Sequence, residues 1–217
     1  MNTLIHIGQH KTATTSIQKY LLHNRDCLLK QGIYIPIFPN ANHWKLNVYS
    51  LDDERISCMK KILKKSEISK IKQTLKKDVE TIYEDAHAQN CNQIIWSNEG
   101  LYLLNSLREY DRLKDLFKNL SDKIQIVCCF RDLDSYKKSF FDQLNGHVEY
   151  KDKNSCHYFG KDSYLFDYTA KRKLLLECYD KCTFFDYDSV NNIKAFLTNA
   201  KLPQCGETKS IRNNKTR

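Results

Sequence analysis

The sequence predicts an α/β fold of three layers, in which helices cover both faces of a central parallel β-sheet. Short apolar runs alternate along the chain with longer segments of helical periodicity. Neighbouring parallel strands need a crossover connection, usually a helix, so this alternation favours a parallel sheet. The first apolar run ends in a glycine, and a helical pattern begins a few residues after it.

Five strands and the helices between them follow from these patterns. The predicted strands span residues 3–8, 33–38, 93–97, 123–130 and 182–188. The run KIQIVCCF at 123–130 is the most apolar, and we expect it to be central. Helices are predicted from Thr14 up to Gly32, as one or two helices in 55–90, and over 107–120, 132–144, 164–180 and 189–200.

Composition indicates one basic globular domain, 1–217. Hydrophobic residues make up 41% of the chain, which is ordinary for a protein with a buried core. The formal net charge of +9 favours anionic partners, although much of the lysine lies in 60–77, as on a solvated helix face. The basic tail, 204–217, is poorly patterned, and disorder is one expectation for it.

Cysteine usage favours a reducing compartment. The chain has nine cysteines and no CxxC pair, and Cys128 and Cys129 lie inside an apolar run, as reduced core cysteines do. The first apolar run reads as a strand and not as a signal peptide, so we expect a cytoplasmic location. No apolar run approaches the roughly 18 residues that cross a bilayer, so a soluble or at most peripheral protein is expected.

Three loops that follow predicted strands carry the chemistry. The strands end at Gly8, Ser97 and Phe130, and the loops begin GQHKTATTS, NEG and RDLDSYKKS. Ligands of such sheets bind beyond the carboxyl ends of the strands, so these loops should converge on one site.

The first loop has the features of an anion site. A strand that runs through glycine into a helix presents backbone N–H groups at the positive end of the helix dipole. Lys11 adds a charge, and hydroxyl donors follow it at Thr12, Thr14, Thr15 and Ser16. The loop is shorter than the ATPase loop GxxxxGK[ST]. The alternative is a helix start with a surface lysine.

The stretch IHIGQHKTATTSIQ resembles the 5′-phosphosulfate loop of sulfotransferases that use PAPS (3′-phosphoadenosine 5′-phosphosulfate), which have a P-loop-like fold. Ala13 stands where that family usually has glycine. The resemblance implies that PAPS is the co-substrate, that no metal is needed, and that the acceptor is a hydroxyl or amine, as on a carbohydrate, surface glycan or glycolipid. The implied residues for the phosphosulfate are Gly8, Lys11, Thr12, Ala13, Thr14, Thr15 and Ser16.

The third loop matches a second motif of the same family. Its pattern R-[DN]-P followed by a serine binds the 3′-phosphate, and here Arg131 and Ser139 have that spacing, with Leu133 in place of the proline. Arginine suits a phosphate because its fork donates two parallel hydrogen bonds. Arg212 of the tail is a further candidate for this phosphate, and the alternative to disorder is that the tail closes over the bound nucleotide. The alternative is a surface ion pair of Arg131 with Asp132 or Asp134.

Three residues are candidates for the general base. Glu99 comes directly after a strand end, beside the expected anion site. A carboxylate there would repel an anionic ligand, so Glu99 is a poor binding residue. It makes sense as a general base that takes a proton from the acceptor. Its alternative role is to stabilise a helix start. His10 and His43 compete with it. The acceptor cleft is expected in segments 40–65 and 145–170, which contain His43, Trp44, Tyr49, His147, Tyr150, His157, Tyr158 and Phe159.

Other classes of function stay open at this point. A P-loop kinase would use Thr12 and Asp132 with magnesium. A degenerate sulfotransferase would bind the nucleotide without turnover. A nucleic-acid-binding module is motivated by residues 60–77, but no known nucleic-acid motif is present, so no nucleic-acid partner is expected.

Overall fold

The computed structural model describes residues 1–38, 42–144 and 151–208. Its five strands are β1 (Asn2–Gly8), β2 (Ile33–Tyr34), β3 (Gln93–Ser97), β4 (Lys123–Phe130) and β5 (Lys181–Asp186). They form one parallel sheet in the order β2-β3-β1-β4-β5, which confirms the predicted fold class. The middle strand is β1, with β4 beside it, whereas the sequence pointed to β4 as the most central strand.

Nine α-helices connect and flank the strands in the described part of the chain. They are α1 (Thr14–His23), α2 (Arg25–Leu29), α3 (Trp44–Ser50), α4 (Cys58–Ile62), α5 (Lys65–Ala88), α6 (Leu107–Asp115), α7 (Leu133–Leu144), α8 (Tyr168–Cys178) and α9 (Asn192–Ala200). None of them is long and apolar enough to span a bilayer.

Two predicted elements are shorter or divided. Only Ile33 and Tyr34 of the predicted strand 33–38 pair with β3. Pro36, two residues later, has no backbone N–H with which to continue the pairing. The first predicted helix is divided at Asn24, whose side chain donates to the Tyr20 carbonyl at 2.9 Å. Such side-chain bonds to the backbone compete with helix continuation.

The sheet separates two apolar cores. Adjacent residues of a strand point to opposite faces, so Leu4 and Cys129 pack on one side and Ile5 and Cys128 on the other. Helices α1, α2 and α9 cover the first side, and helices α3, α5, α6 and α8 contribute to the second. This arrangement is the predicted three-layer architecture.

A disulfide links the first helical segment to the chain's C-terminal part. Cys27 and Cys205 are bonded, with their Cα atoms 5.9 Å apart, and the Cys205 N–H donates to the Tyr20 hydroxyl at 2.8 Å. Residues 201–208 are therefore held against α1 and α2. Cys128 and Cys129 are buried free thiols, as expected. The bridge was not predicted, and it departs from the uniformly reduced cysteines that composition suggested; the cytoplasmic location stays a prediction.

The sheet order brings the three loops together. Strand β1 lies between β3 and β4, with His6 opposite Ser97 and Gly8 opposite Cys129. The three strands therefore end side by side at one edge of the sheet. The predicted convergence of the loops is confirmed.

Candidate active site

The loop between β1 and α1 has an unusual backbone. Lys11 and Ala13 both have left-handed φ angles, 68° and 55°. Ala13 is the N-cap of α1, where its methyl group cannot cap the helix, and the first turn carries no acidic residue. The first N–H groups of a helix have no partner within the helix, so these donors and the positive end of the dipole suit an anion.

Gly8 is required by packing. A Cβ atom at this position would lie 2.2 Å from Cγ2 of Thr14 and 3.0 Å from Oγ1 of Thr12. A side chain at position 8 could occupy that space only if the Thr14 side chain moved. The glycine therefore lets the loop fold back tightly over the end of β1.

The predicted loop residues differ in accessibility. Lys11 and Thr15 are exposed, Ser16 is half-buried, and Thr12 and Thr14 are buried. The Thr12 hydroxyl donates to the backbone carbonyl of Gln9 at 2.7 Å, so in this structure it braces the loop. A phosphate contact from Thr12 stays a prediction, and it would require that hydroxyl to change partner.

Gln9 joins all three loops, a role that sequence reasoning missed. Its buried amide donates to the Tyr102 hydroxyl at 3.0 Å and accepts from the Arg131 N–H at 2.7 Å. The Tyr168 hydroxyl donates to the Arg131 carbonyl at 2.8 Å. The only signal in the sequence was a polar residue directly after the loop glycine, which is too common to predict a buried junction.

Arg131 lies against the first loop. Its Nη1 donates to the Lys11 carbonyl at 3.1 Å, and its guanidinium carbon is 5.3 Å from the centre of the Tyr187 ring. Asp132, which sequence reasoning considered as its ion-pair partner, accepts from the Ser135 N–H at 2.9 Å near the start of α7. That hydrogen bond lowers the pKa of Asp132.

Ser139 and Arg212 are the other two residues predicted to bind the 3′-phosphate. Ser139 is half-buried in the second turn of α7. Arg212 lies outside the described residues. Both assignments stay predictions.

Glu99 is held between two other segments. It opens a 3-10 turn, Glu99–Leu103, directly after β3. Its carboxylate accepts from the Gln18 amide of α1 at 3.0 Å and from the Asn42 amide at 3.1 Å. Two amide donors fix the orientation of the carboxylate without neutralising it, as a proton acceptor in a site requires.

Both ring nitrogens of His43 form hydrogen bonds within the protein. Its Nδ1 accepts from the Ser97 N–H at 2.8 Å, so Nε2 carries the hydrogen and donates to the Pro36 carbonyl at 3.0 Å. Burial lowers its pKa to about 4, against the opposing effect of these two hydrogen bonds. Both nitrogens are bonded within the protein, so His43 positions the residues that follow β3 and has no nitrogen left to take a proton from an acceptor.

His10 lies at the edge of the site. Its ring packs 5.7 Å from the rings of Phe140 and His157. Burial, with the charge of Lys11 as a smaller cause, lowers the pKa of His10 to about 4, so the ring is neutral at pH 7. Its Nδ1 is buried and has no hydrogen-bond partner among the described residues.

A cleft of about 250 Å³ opens beside these groups. Glu99 and His10 line it together with Asn42, Trp44, Asn98 and His157. Of the aromatic residues expected around an acceptor, Trp44 and His157 line the cleft, whereas His147 and Tyr150 lie outside the described residues. The cleft is small, and its lining combines apolar surface, including one indole ring, with amides and a carboxylate.

Comparison with solved structures places the architecture in a known class. The chain is similar to the crystal structure of a sulfotransferase from Alicyclobacillus acidocaldarius, with a TM-score of 0.56, over 96% of this chain and 85% of that chain. The two are 12% identical in sequence, so the likeness concerns the fold. No protein-family model matches the chain, and no curated protein has a significantly similar sequence. The predicted α/β fold, with its central parallel sheet, is thus one that this chain shares with a known sulfotransferase.

Proposed function

We propose that this protein is a sulfotransferase that moves a sulfuryl group from PAPS to a hydroxyl or amine acceptor. The observation that carries the proposal is the contact of Arg131 with the Lys11 carbonyl, because it joins the residues expected at the two ends of PAPS. The fold likeness to a sulfotransferase supports it. The short loop, in place of an ATPase loop, also favours a phosphosulfate over a triphosphate.

In this proposal the β1–α1 loop holds the 5′-phosphosulfate. The N–H groups at the start of α1 and the hydroxyls of Thr15 and Ser16 would donate to its oxygens. The Lys11 ammonium would stabilise the charge that grows on the bridging oxygen as the S–O bond breaks. Arg131 would bind the 3′-phosphate with its fork, assisted by Ser139.

The acceptor would enter the cleft beside Glu99. The carboxylate would take the proton of the acceptor hydroxyl while that oxygen attacks sulfur in line with the leaving phosphate. The indole of Trp44 and the amides of Asn42 and Asn98 are groups that recognise a sugar by stacking and hydrogen bonding. We therefore favour a carbohydrate acceptor.

Calorimetry of nucleotide binding without metal tests the donor. We expect 3′-phosphoadenosine 5′-phosphate to bind at least about tenfold more tightly than ADP, since an arginine–phosphate bond contributes about 1.5–3 kcal/mol. Arg131→Ala should abolish this preference, and Arg108→Ala, which removes an exposed arginine of α6, should leave it unchanged. Equal binding of the two nucleotides, or ADP binding that needs magnesium, would refute the proposal and favour a kinase.

Lys11→Ala tests the chemical step. Loss of a charge that stabilises the leaving group should slow the release of labelled sulfate from PAPS by about 10²-fold or more, with a smaller effect on nucleotide affinity. Lys118→Ala is the matched control, because Lys118 is exposed and lies in the turn after α6, remote from the three loops in sequence. Full turnover by Lys11→Ala would show that the lysine has no catalytic role.

A further inference from the structure

A second cavity lies outside the candidate active site, between α4 and α5. It has a volume of about 600 Å³, compared with about 250 Å³ for the cleft beside Glu99. Its apolar lining comes from Ile56, Leu63 and Ile68. We call it the basic groove, because lysines surround this apolar floor.

The charges of the basic groove are strongly unbalanced. Its described lining contains four lysines and Arg55 but a single carboxylate, Asp53. Arg55 is already paired with buried Glu109 at 2.6 Å, and the exposed Asp53 pairs with Lys72. Lys60 and Lys65 have no carboxylate partner among the described residues, and they give the groove an excess of positive charge.

Two of these lysines repel each other. Burial, followed by the charge of Lys72, lowers the pKa of Lys60. Lys60 keeps its ammonium in place by donating to the Asp52 carbonyl at 2.5 Å. Asp53 opposes part of this repulsion, and a further anion beside Lys60 would oppose the rest, so the groove is electrostatically suited to a negative group.

Shape and chemistry restrict the occupant. The volume is in the range of small-molecule sites, whereas a stable protein partner would need about 800 Å² of surface from each side. None of the described lining residues is aromatic, which disfavours a sugar or a nucleic-acid base that would stack. Branched aliphatic side chains and lysine methylenes suit an alkyl chain, and the ammonium groups suit an anionic head.

We propose that the basic groove binds a single-chain amphiphilic anion, with the alkyl chain on Ile56, Leu63 and Ile68 and a carboxylate or phosphate head on the lysines. Helix α4 forms the wall between this groove and the candidate active cleft. Cys58 and Met59 line the cleft, and Lys60 and Lys61 line the groove. The proposal concerns binding alone and does not depend on sulfuryl transfer.

Calorimetric titration with dodecanoate, below its micellar concentration, tests this site. Dodecyl phosphate should bind as well, since both heads are anionic. Dodecanol, which has no charge, and octanoate, which is four methylenes shorter, should each bind at least about tenfold more weakly. Equal binding of dodecanol and dodecanoate would overturn the electrostatic part of the proposal.

Matched variants on α5 locate the site. Lys65→Glu, at the groove, should weaken dodecanoate binding about fivefold, whereas Lys70→Glu, which makes the same charge change on an exposed residue outside the lining, should not. Ser69→Trp should fill the groove and abolish binding, and exposed Thr74→Trp should not.

All four variants change exposed helix positions, so they should fold like the wild type, and their thermal unfolding serves as a check. Equal weakening by Lys65→Glu and Lys70→Glu, or unchanged binding by Ser69→Trp, would overturn the assignment. Binding of an acidic peptide in preference to dodecanoate would do the same. Nucleotide affinity should stay unchanged in Lys65→Glu, which separates this proposal from the proposed function.

Discussion

Arg131 donates a hydrogen bond from Nη1 to the backbone carbonyl of Lys11 at 3.1 Å, across 120 positions of sequence. The ring of Tyr187, just beyond β5, lies 5.3 Å away on the same guanidinium. Because Arg131 is held on both sides, the protein itself sets its position. Groups positioned in advance lose less entropy on binding, so this contact would strengthen the proposed binding of the 3′-phosphate.

Glu99→Gln should separate binding from chemistry. The amide keeps the shape of the side chain but cannot accept the acceptor proton, so turnover with an acceptor found by screening should fall by about 10²–10⁴-fold. Affinity for 3′-phosphoadenosine 5′-phosphate should change by less than about threefold, because Glu99 is expected to contact the acceptor. Exposed Glu54→Gln is the control. Unchanged turnover would transfer the role of base to His10.

Ala13→Gly should stabilise the protein. Ala13 has φ of 55°, and the left-handed region costs a residue with a Cβ about 1–2 kcal/mol, which glycine avoids. Glycine also gains freedom in the unfolded chain, so the net gain in the free energy of unfolding should be about 0.5–1 kcal/mol.

Urea denaturation measures this gain, and Ala170→Gly provides the control. Ala170 is an exposed residue in the first part of helix α8, so the same change there should cost about 1 kcal/mol. Equal destabilisation by both variants would mean that Ala13 carries no strain.

The protein should lose stability in mild acid because of its buried histidines. Burial lowers the pKa of His43 to about 4 and that of His6 to about 3, below the unfolded value of 6.5. The unfolded chain therefore binds more protons as pH falls through 6.5, and stability decreases from there towards the folded-state pKa. Each histidine should cost about 1.6 kcal/mol between pH 6.5 and pH 5.

Urea denaturation at pH 7 and pH 5 measures this loss. His43→Gln is expected to be less stable at pH 7 but to lose less stability on acidification than the wild type. His23→Gln, which alters an exposed histidine, should keep the pH dependence of the wild type. An unchanged pH dependence in His43→Gln would contradict the pKa assigned to His43.

Reduction of the disulfide should loosen the C-terminal part of the described chain. Cys27 and Cys205 close a long loop, so dithiothreitol should lower the free energy of unfolding by about 2–4 kcal/mol. Residues 201–208 should then become more accessible to proteases. The double variant Cys27→Ser/Cys205→Ser should behave like the reduced protein and not respond to dithiothreitol. No difference between oxidised and reduced wild type would mean that the bond does not contribute to stability.

Local patterns predicted the elements of the fold well. Apolar runs and helical periodicity depend on neighbouring residues, and all five strands appear where these patterns placed them. Two boundaries were predicted wrongly, the end of β2 near Pro36 and the division of the first helix at Asn24. Each depends on a single residue that interrupts backbone hydrogen bonding. The middle position of β1 could not be predicted from apolar content, because it depends on how the strands pair.

The candidate site was predicted in part. The motifs around Lys11, Glu99 and Arg131 follow strand ends, and a parallel sheet brings such ends together. The junction at Gln9 and the two hydrogen bonds of His43 were not predicted, because each depends on residues that are distant in sequence.

The sequence alone determined the strands, the parallel layers and the three loops that meet at one edge, since periodicity and strand-end motifs are local properties. The tertiary structure decided which side chains became partners. Both ring nitrogens of His43 form hydrogen bonds, the Thr12 hydroxyl donates to the Gln9 carbonyl, and Cys27 forms a disulfide with Cys205. The reason is physical: a hydrogen bond or disulfide forms only between atoms within a few ångströms, and packing sets those distances.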